Sequence, residues 1–141
     1  MLIDVVVGLV KQEGKLLLCK RPPGKPYAGY WEFPGGKVEP AETRLEALQR
    51  ELQEELGIIV KTASSWGEYI HHYPDKSVCL NLWVVTDFDG LPSGLEGQDL
   101  EWVTFSTLIK KNLLEGNLPL LNQIEGLFIE NSPFTNNSDC S

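Results

Sequence analysis

The sequence predicts one mixed α/β (α+β) domain, in which a mixed sheet carries one central helix and one C-terminal helix. Three observations point that way. Apolar, β-branched runs at 2–10, 15–20, 66–73 and 77–88 have strand character. The stretch 43–57 sets leucines at three- and four-residue steps between a helix start signal and a stop signal. A second helix-like pattern fills 117–130. The domain is expected to span 1–130, with 131–141 a polar, disordered tail.

The elements follow in order. Residues 2–10 and 15–20 flank Glu13-Gly14 and read as a hairpin. Residues 21–30 hold Pro22, Pro23, Gly24, Pro26 and Gly29 and read as a loop. Trp31-Glu32-Phe33 is a short strand piece, ended by Pro34-Gly35-Gly36. Thr43 is an N-cap, and Glu46 three residues later completes a capping box. Leu45, Leu48, Leu52 and Leu56 form one apolar face, and Gly57 stops the helix. Strand character resumes at 58–60, and Pro74-Asp75-Lys76 turns between the strands 66–73 and 77–88. Residues 101–105 form a further short strand. In the last helix Leu118, Leu121, Ile124, Leu127 and Phe128 make the apolar face.

Composition narrows the function. At 42% hydrophobic residues the chain can bury a core. No apolar run reaches membrane-spanning length, and Met1-Leu2-Ile3-Asp4 lacks the basic start of a signal peptide, so a cytoplasmic protein with no membrane partner is expected. The net charge of −8, with no Lys/Arg stripe, argues against a nucleic-acid polymer as partner. A small phosphorylated ligand remains open if cations screen the local acid. Three widely spaced cysteines, Cys19, Cys79 and Cys140, support neither a zinc site nor a disulfide framework.

The polar face of the central helix carries the chemistry. Glu51, Glu54 and Glu55 stand at i, i+3 and i+4, which puts three carboxylates about 5–6 Å apart at Cβ. Like charges so close repel unless neutralised. A hard divalent cation neutralises them, and carboxylate oxygens suit Mg²⁺ or Mn²⁺. Glu42 adds a nearby acid, and Arg50 can hold a carboxylate by charge-assisted hydrogen bonds. Alone, such a cluster also fits a solvated acidic face.

Its setting is more specific. From Gly36 the chain reads G-x5-E-x7-R-E-U-x-E-E-x-G-U through Ile58, where U is aliphatic. A chance match is on the order of 10⁻¹⁰ per start position at average residue usage. The segment resembles the complete box of the Nudix hydrolase family. That resemblance implies an α/β/α sandwich around a mixed sheet, with the box as loop-helix-loop. It also implies divalent-metal hydrolysis of a nucleoside diphosphate linked to another group. Beyond the box, Val7-Gly8-Leu9-Val10, Lys20-Arg21, the stretch from Glu32 to Glu39, Tyr73-Pro74-Asp75, Glu96-Gly97-Gln98 and Glu101-Trp102 are similar to the MutT-type branch, the 8-oxo-dGTP diphosphatases.

The resemblance implies roles residue by residue. Glu51, Glu54, Glu55, Glu96 and the carbonyl of Gly35 would hold Mg²⁺, or Mn²⁺. Glu51, oriented by Arg50, is the candidate general base, with Glu54 and Glu55 in the same catalytic set. Arg21, Glu32, Phe33, Pro34, Gly35, Lys76 and Asn117 would contact substrate, and Asn117 would read the purine edge. Simpler roles stand beside these: a surface charge for Arg21, a core aromatic for Phe33, a loop acid for Glu96, a tight turn for Gly35 and Gly36, and a helix N-cap for Asn117. Lys25 in the proline loop either reaches a phosphate or is solvated. The expected activity is hydrolysis of 8-oxo-dGTP to 8-oxo-dGMP and pyrophosphate, a nucleotide-pool sanitation and DNA-repair function. The alternatives are another nucleotide substrate (a dNTP, CTP, a pterin triphosphate or an ADP-ribose-like compound) or a binding module without hydrolysis. The partner is a small nucleotide, and the chain is expected to be a monomer or weak dimer.

Overall fold

A computed structural model describes residues 2–129 of the chain; the tail expected at 131–141 lies outside the described residues. Strands β1 (Leu2–Gln12) and β2 (Lys15–Lys20) form the expected hairpin, closed by the Gln12–Lys15 pair. β1 is central. On one side it runs parallel to β6 (Ser77–Asp89), in register from Leu2–Ser77 to Val10–Val85. β5 (Ile59–His72) lies antiparallel beyond β6. β2 pairs antiparallel with β3 (Trp31–Glu32) and with β7 (Asp99–Val103). The seven-stranded sheet is therefore mixed.

Three strand expectations change. The runs at 58–60 and 66–73 belong to one strand, β5, whose register shifts three times between Val60 and Gly67. Bulges interrupt its alternation, so a single strand reads as two pieces. The second change is at Pro34-Gly35-Gly36, which does not end a strand. Gly35–Lys37 is itself strand β4, antiparallel to β1 through Val7–Gly35 and Val6–Gly36. Residues 101–105 also shift: β7 stops at Val103, and Thr104 caps the short helix α2 (Phe105–Leu108).

Alternation along β1 divides the core. Val6 and Val10 face helix α1 (Arg44–Leu56), whereas Val7 and Leu9 face the C-terminal elements. Helix α1 has the predicted capping box, Thr43 with Glu46, and its end at Gly57 is left-handed, with φ 71°. Leu48, Leu52 and Leu56 are fully buried against the sheet with Ala47. Each such leucine contributes about 1.5–3 kcal/mol. Leu45 was expected on this face but is 38% exposed, because the stripe at 48, 52 and 56 turns it away in the first turn. Polar contacts tie the same end down. Arg44 reaches Asp4 (3.2 Å) and Glu68 (3.1 Å), and buried Asn81 donates to Asp4 Oδ1 (2.6 Å).

The opposite face is covered by a 3-10 turn (Glu115–Leu120) and helix α3 (Leu121–Ile129). The single helix expected from 117 is thus split. Pro119 lies inside the 3-10 turn; it has no N–H to donate and disfavours helical backbone at Leu118. Leu118 is 47% exposed, while Leu120, Ile124 and Leu127 enter the core. Helices on both faces of a mixed sheet make the sandwich that the resemblance implied. Cys79 is disulfide-bonded, against the expectation of a thiol, and Cys19 is free and buried. Spacing along the chain carries no signal for such a bond, which depends on proximity in space. No helix among the described residues is long and apolar enough to cross a membrane.

Candidate active site

The site has two parts that meet at β4. The first is the carboxylate face of α1. Arg50 stands at its centre. Its Nε and Nη2 donate to the two oxygens of Glu42 (2.7 and 3.0 Å), and Nη1 donates to Glu51 (2.8 Å) and Glu54 (3.4 Å). Nη2 also donates to the carbonyl of Lys37 at the end of β4 (3.0 Å). This fork binds the loop before the helix to the helix itself. It holds the Glu42 carboxyl below its ordinary range and the guanidinium firmly protonated.

Glu55 lies deeper. Its Oε2 accepts from the backbone N–H of Gly35 (3.1 Å). Burial, and then the nearby charges of Glu51 and Glu96, push its pKa up to about 9. Burial also raises Glu51, opposed by its bond to Arg50 and aided by Glu54 and Glu96. The four predicted ligands Glu51, Glu54, Glu55 and Glu96 therefore feel one another, and ionising them together is unfavourable without a counter-charge.

No three such side chains among the described residues already converge in ligating geometry. The bonds just described explain this: Arg50 draws Glu51 and Glu54 aside, and Gly35 holds Glu55. The donor set nonetheless fits a hard divalent cation, since its side chains are all carboxylates and a bound cation would offset the charge that otherwise raises Glu55.

The glycines of β4 are required by close approach. A Cβ on Gly36 would collide with the Glu51 carboxylate, and one on Gly35 with the Val6 carbonyl oxygen. The tight-turn reading of this pair is replaced by a strand packed under the acidic helix.

The second part is a cavity of about 610 Å³ beside β4, reaching from Gly35 and Gly36 across the start of β1 and β6. Arg21, Glu32, Phe33, Gly35, Lys76 and Asn117, named above as substrate contacts, all line it. Pro34 does not; its carbonyl accepts from Gly8 N–H (2.8 Å), so it serves the sheet instead. Arg21 donates to Glu32 (3.0 Å), and Lys76 lies 5.6 Å from the centre of the Tyr73 ring. Lys25 is exposed and lies outside the lining.

Asn117 sits in the 3-10 turn and makes no helix cap. Its Oδ1 accepts from Phe33 N–H (3.1 Å), which joins the C-terminal turn to the strand before β4. The hydroxyl of buried Tyr69 bonds the carbonyl of Gly116 and fixes that turn from below. Tyr27, Tyr30, Tyr73, Val78, Leu80 and Glu115 also line the cavity, and sequence reasoning did not single them out. Val78 and Leu80 were legible only as alternate residues of a strand whose partner was unknown. Glu96 is exposed on the loop that leads from β6 to β7.

Comparisons with known proteins agree with this layout. The NUDIX domain family model matches residues 2–124. The chain is 36% identical to a CTP pyrophosphohydrolase of Escherichia coli over 126 residues, covering 89% of this chain and 93% of that one. It is 35% identical to an 8-oxo-dGTP diphosphatase of Haemophilus influenzae over 124 residues, covering 87% and 91%. Among solved structures, one from a study of MutT of Aliivibrio salmonicida and Vibrio cholerae superposes with a TM-score of 0.76 at 36% identity, covering 90% of this chain and 99% of that one. The ORF135 protein of E. coli superposes with a TM-score of 0.80 at 36% identity, covering 89% and 90%.

Proposed function

The chain belongs to the Nudix family of hydrolases, and we propose that it is a nucleoside triphosphate pyrophosphohydrolase that prefers 8-oxo-dGTP. The observation that carries this reading is the amide of Asn117 bound to Phe33 N–H at the cavity wall, next to the glycines that touch Glu51 and Glu55. The bond uses the Phe33 N–H and one lone pair of Oδ1, which leaves Asn117 its Nδ2 donor beside the second Oδ1 lone pair, an adjacent donor and acceptor. Unmodified guanine presents acceptors at both O6 and N7. Oxidation at C8 places a hydrogen on N7 and adds an acceptor at O8. The oxidised edge then reads acceptor, donor, acceptor, and its O6 and N7–H are the complement of the Asn117 amide.

Nudix hydrolases use a divalent cation, and Glu51, Glu54, Glu55, Glu96 and the Gly35 carbonyl are the groups that would hold it here. Bound there, the cation offsets the charge of the triphosphate and stabilises charge developing on the phosphoryl oxygens. Glu51, steadied by Arg50, takes a proton from the attacking water. The water oxygen bonds the β-phosphorus while the bridge to the α-phosphate breaks. Nucleoside monophosphate, pyrophosphate and a proton result. Arg21 and Lys76 line the cavity as the cationic groups nearest the phosphates. Nucleotide-pool sanitation would be the cellular role.

A second reading is CTP, favoured by the 36% identity to the CTP pyrophosphohydrolase. Cytosine also places a donor, N4, beside an acceptor, N3, and an Asn amide pairs with both. The test is kcat/KM with Mg²⁺ for 8-oxo-dGTP, dGTP, CTP and ADP-ribose. A clear preference for 8-oxo-dGTP over dGTP is expected. Equal rates on those two, or a preference for CTP, would end the sanitation reading.

A further inference from the structure

The loop between Asp89 and β7 does more than connect strands. It closes the C-terminal end of α1, where four carbonyls lack partners inside the helix. Ser93 N–H donates to Leu56 O (3.0 Å) and Leu95 N–H to Glu55 O (3.1 Å). The third contact is a side chain. Gln98 is buried, 9% exposed, and its Nε2 donates to the same Glu55 carbonyl (3.1 Å). Its Oε1 accepts from the backbone N–H of Glu96 (2.8 Å). One amide thus joins Glu55, whose carboxylate is partly buried, to the exposed Glu96. Gly94 allows this, since a Cβ there would collide with the Gln98 carbonyl oxygen.

We propose that Gln98 is a positioning residue that holds Glu96 against the carboxylates of α1, so that divalent-cation affinity depends on a side chain that does not itself ligate. The inference rests on the reading of Glu96 as a cation ligand. Leu95 and Ser93 tie the preceding backbone to the helix, and at Glu96 itself, which is exposed, the amide is anchored by the Gln98 side chain. A buried amide that satisfies a donor and an acceptor at once has no apolar or shorter substitute. Removing an outer hydrogen-bond partner of a metal site lowers affinity by about 10–100-fold.

The test uses the full chain and Mn²⁺ as probe, with free Mn²⁺ followed by electron paramagnetic resonance. Gln98→Met, of similar length without the amide, should weaken Mn²⁺ binding about tenfold. Gln98→Asn, one methylene too short to span both partners, should weaken it similarly and guards against a Met variant that does not fold. In the cation-free protein both variants should lose hydrogen-exchange protection at the Glu96 amide. Glu96→Gln should weaken Mn²⁺ binding, and adding Gln98→Met to it should cost little more, because both act on one contact. If Glu96→Gln binds Mn²⁺ like the wild type, the ligand reading of Glu96 fails and the inference fails with it. If Glu96→Gln weakens binding but the Gln98 variants do not, the inference alone fails. Fully additive losses would also overturn it, since they would mean that Gln98 acts through general stability.

Discussion

The carboxylate helix and the cavity beside β4 are built by different means. Helix α1 is specified by neighbours in sequence: Thr43 and Glu46 start it, Gly57 ends it, and Arg50 binds Glu42 and Glu51 across at most eight residues. The cavity wall has no such local basis. Phe33 and Asn117 are 84 residues apart, and Tyr69 reaches Gly116 across 47. A locally encoded part keeps its geometry when distant residues change. A part assembled from distant residues can change its recognition while the reaction machinery stays intact. Relatives named for CTP and for 8-oxo-dGTP stand at nearly equal identity to this chain, 36% and 35%.

The largest effect is expected from removing the cation. Chelation should bring hydrolysis to background, and Mg²⁺ should restore it; activity that persists in excess chelator would remove the acidic helix from the mechanism. Next is Glu51→Gln, which should lower kcat by about 10²–10⁴-fold with little change in KM. Steady-state kinetics read this, and a variant of near wild-type kcat would require another base. Gly36→Ala probes the same region through packing. Its new methyl meets the Glu51 carboxylate, so kcat should fall about tenfold or more while melting temperature moves little.

The cavity should respond differently. Asn117→Ala should cut the preference for 8-oxo-dGTP over dGTP by about 10–100-fold, the worth of a paired base contact. Its Mn²⁺ affinity should be unchanged. If both quantities fall together, the two regions are not separable and the comparison breaks. Smallest is Thr43→Ala, which removes the cap of α1 and should cost about 1 kcal/mol in denaturant unfolding. Substrate preference should stay as it was; a shift in preference would show that helix position sets the base cavity after all.

The same contrast explains what could be read before folding. The capped helix, its leucine stripe and the spacing of Glu51, Glu54 and Glu55 follow from a repeat of 3.6 residues, so they were legible one residue at a time. The residues named as substrate contacts line one cavity, Pro34 excepted, but the geometry that brings them together was not legible. Whether Gly35 and Gly36 turned the chain or joined the sheet depended on β1 being free to accept a strand. The bulges of β5 and the split at Pro119 shifted element boundaries for similar reasons. Gln98 stood in a quoted tripeptide beside Glu96, but its role requires the end of α1 to lie against it.

By itself, then, the order of residues determined a helix with one apolar and one acidic face, and on it a close carboxylate set of a kind that suits a divalent cation. Short-range periodicity, caps and like-charge repulsion suffice for that. Only the tertiary structure decided what stands opposite that helix: β4 beneath Glu51 and Glu55, the loop amide of Gln98 at its end, and the Phe33–Asn117 pair in the adjoining cavity. Those contacts join residues from 15 positions apart, Gly36 and Glu51, to 84 apart, Phe33 and Asn117. They form only when the sheet closes, because no local interaction brings such partners together.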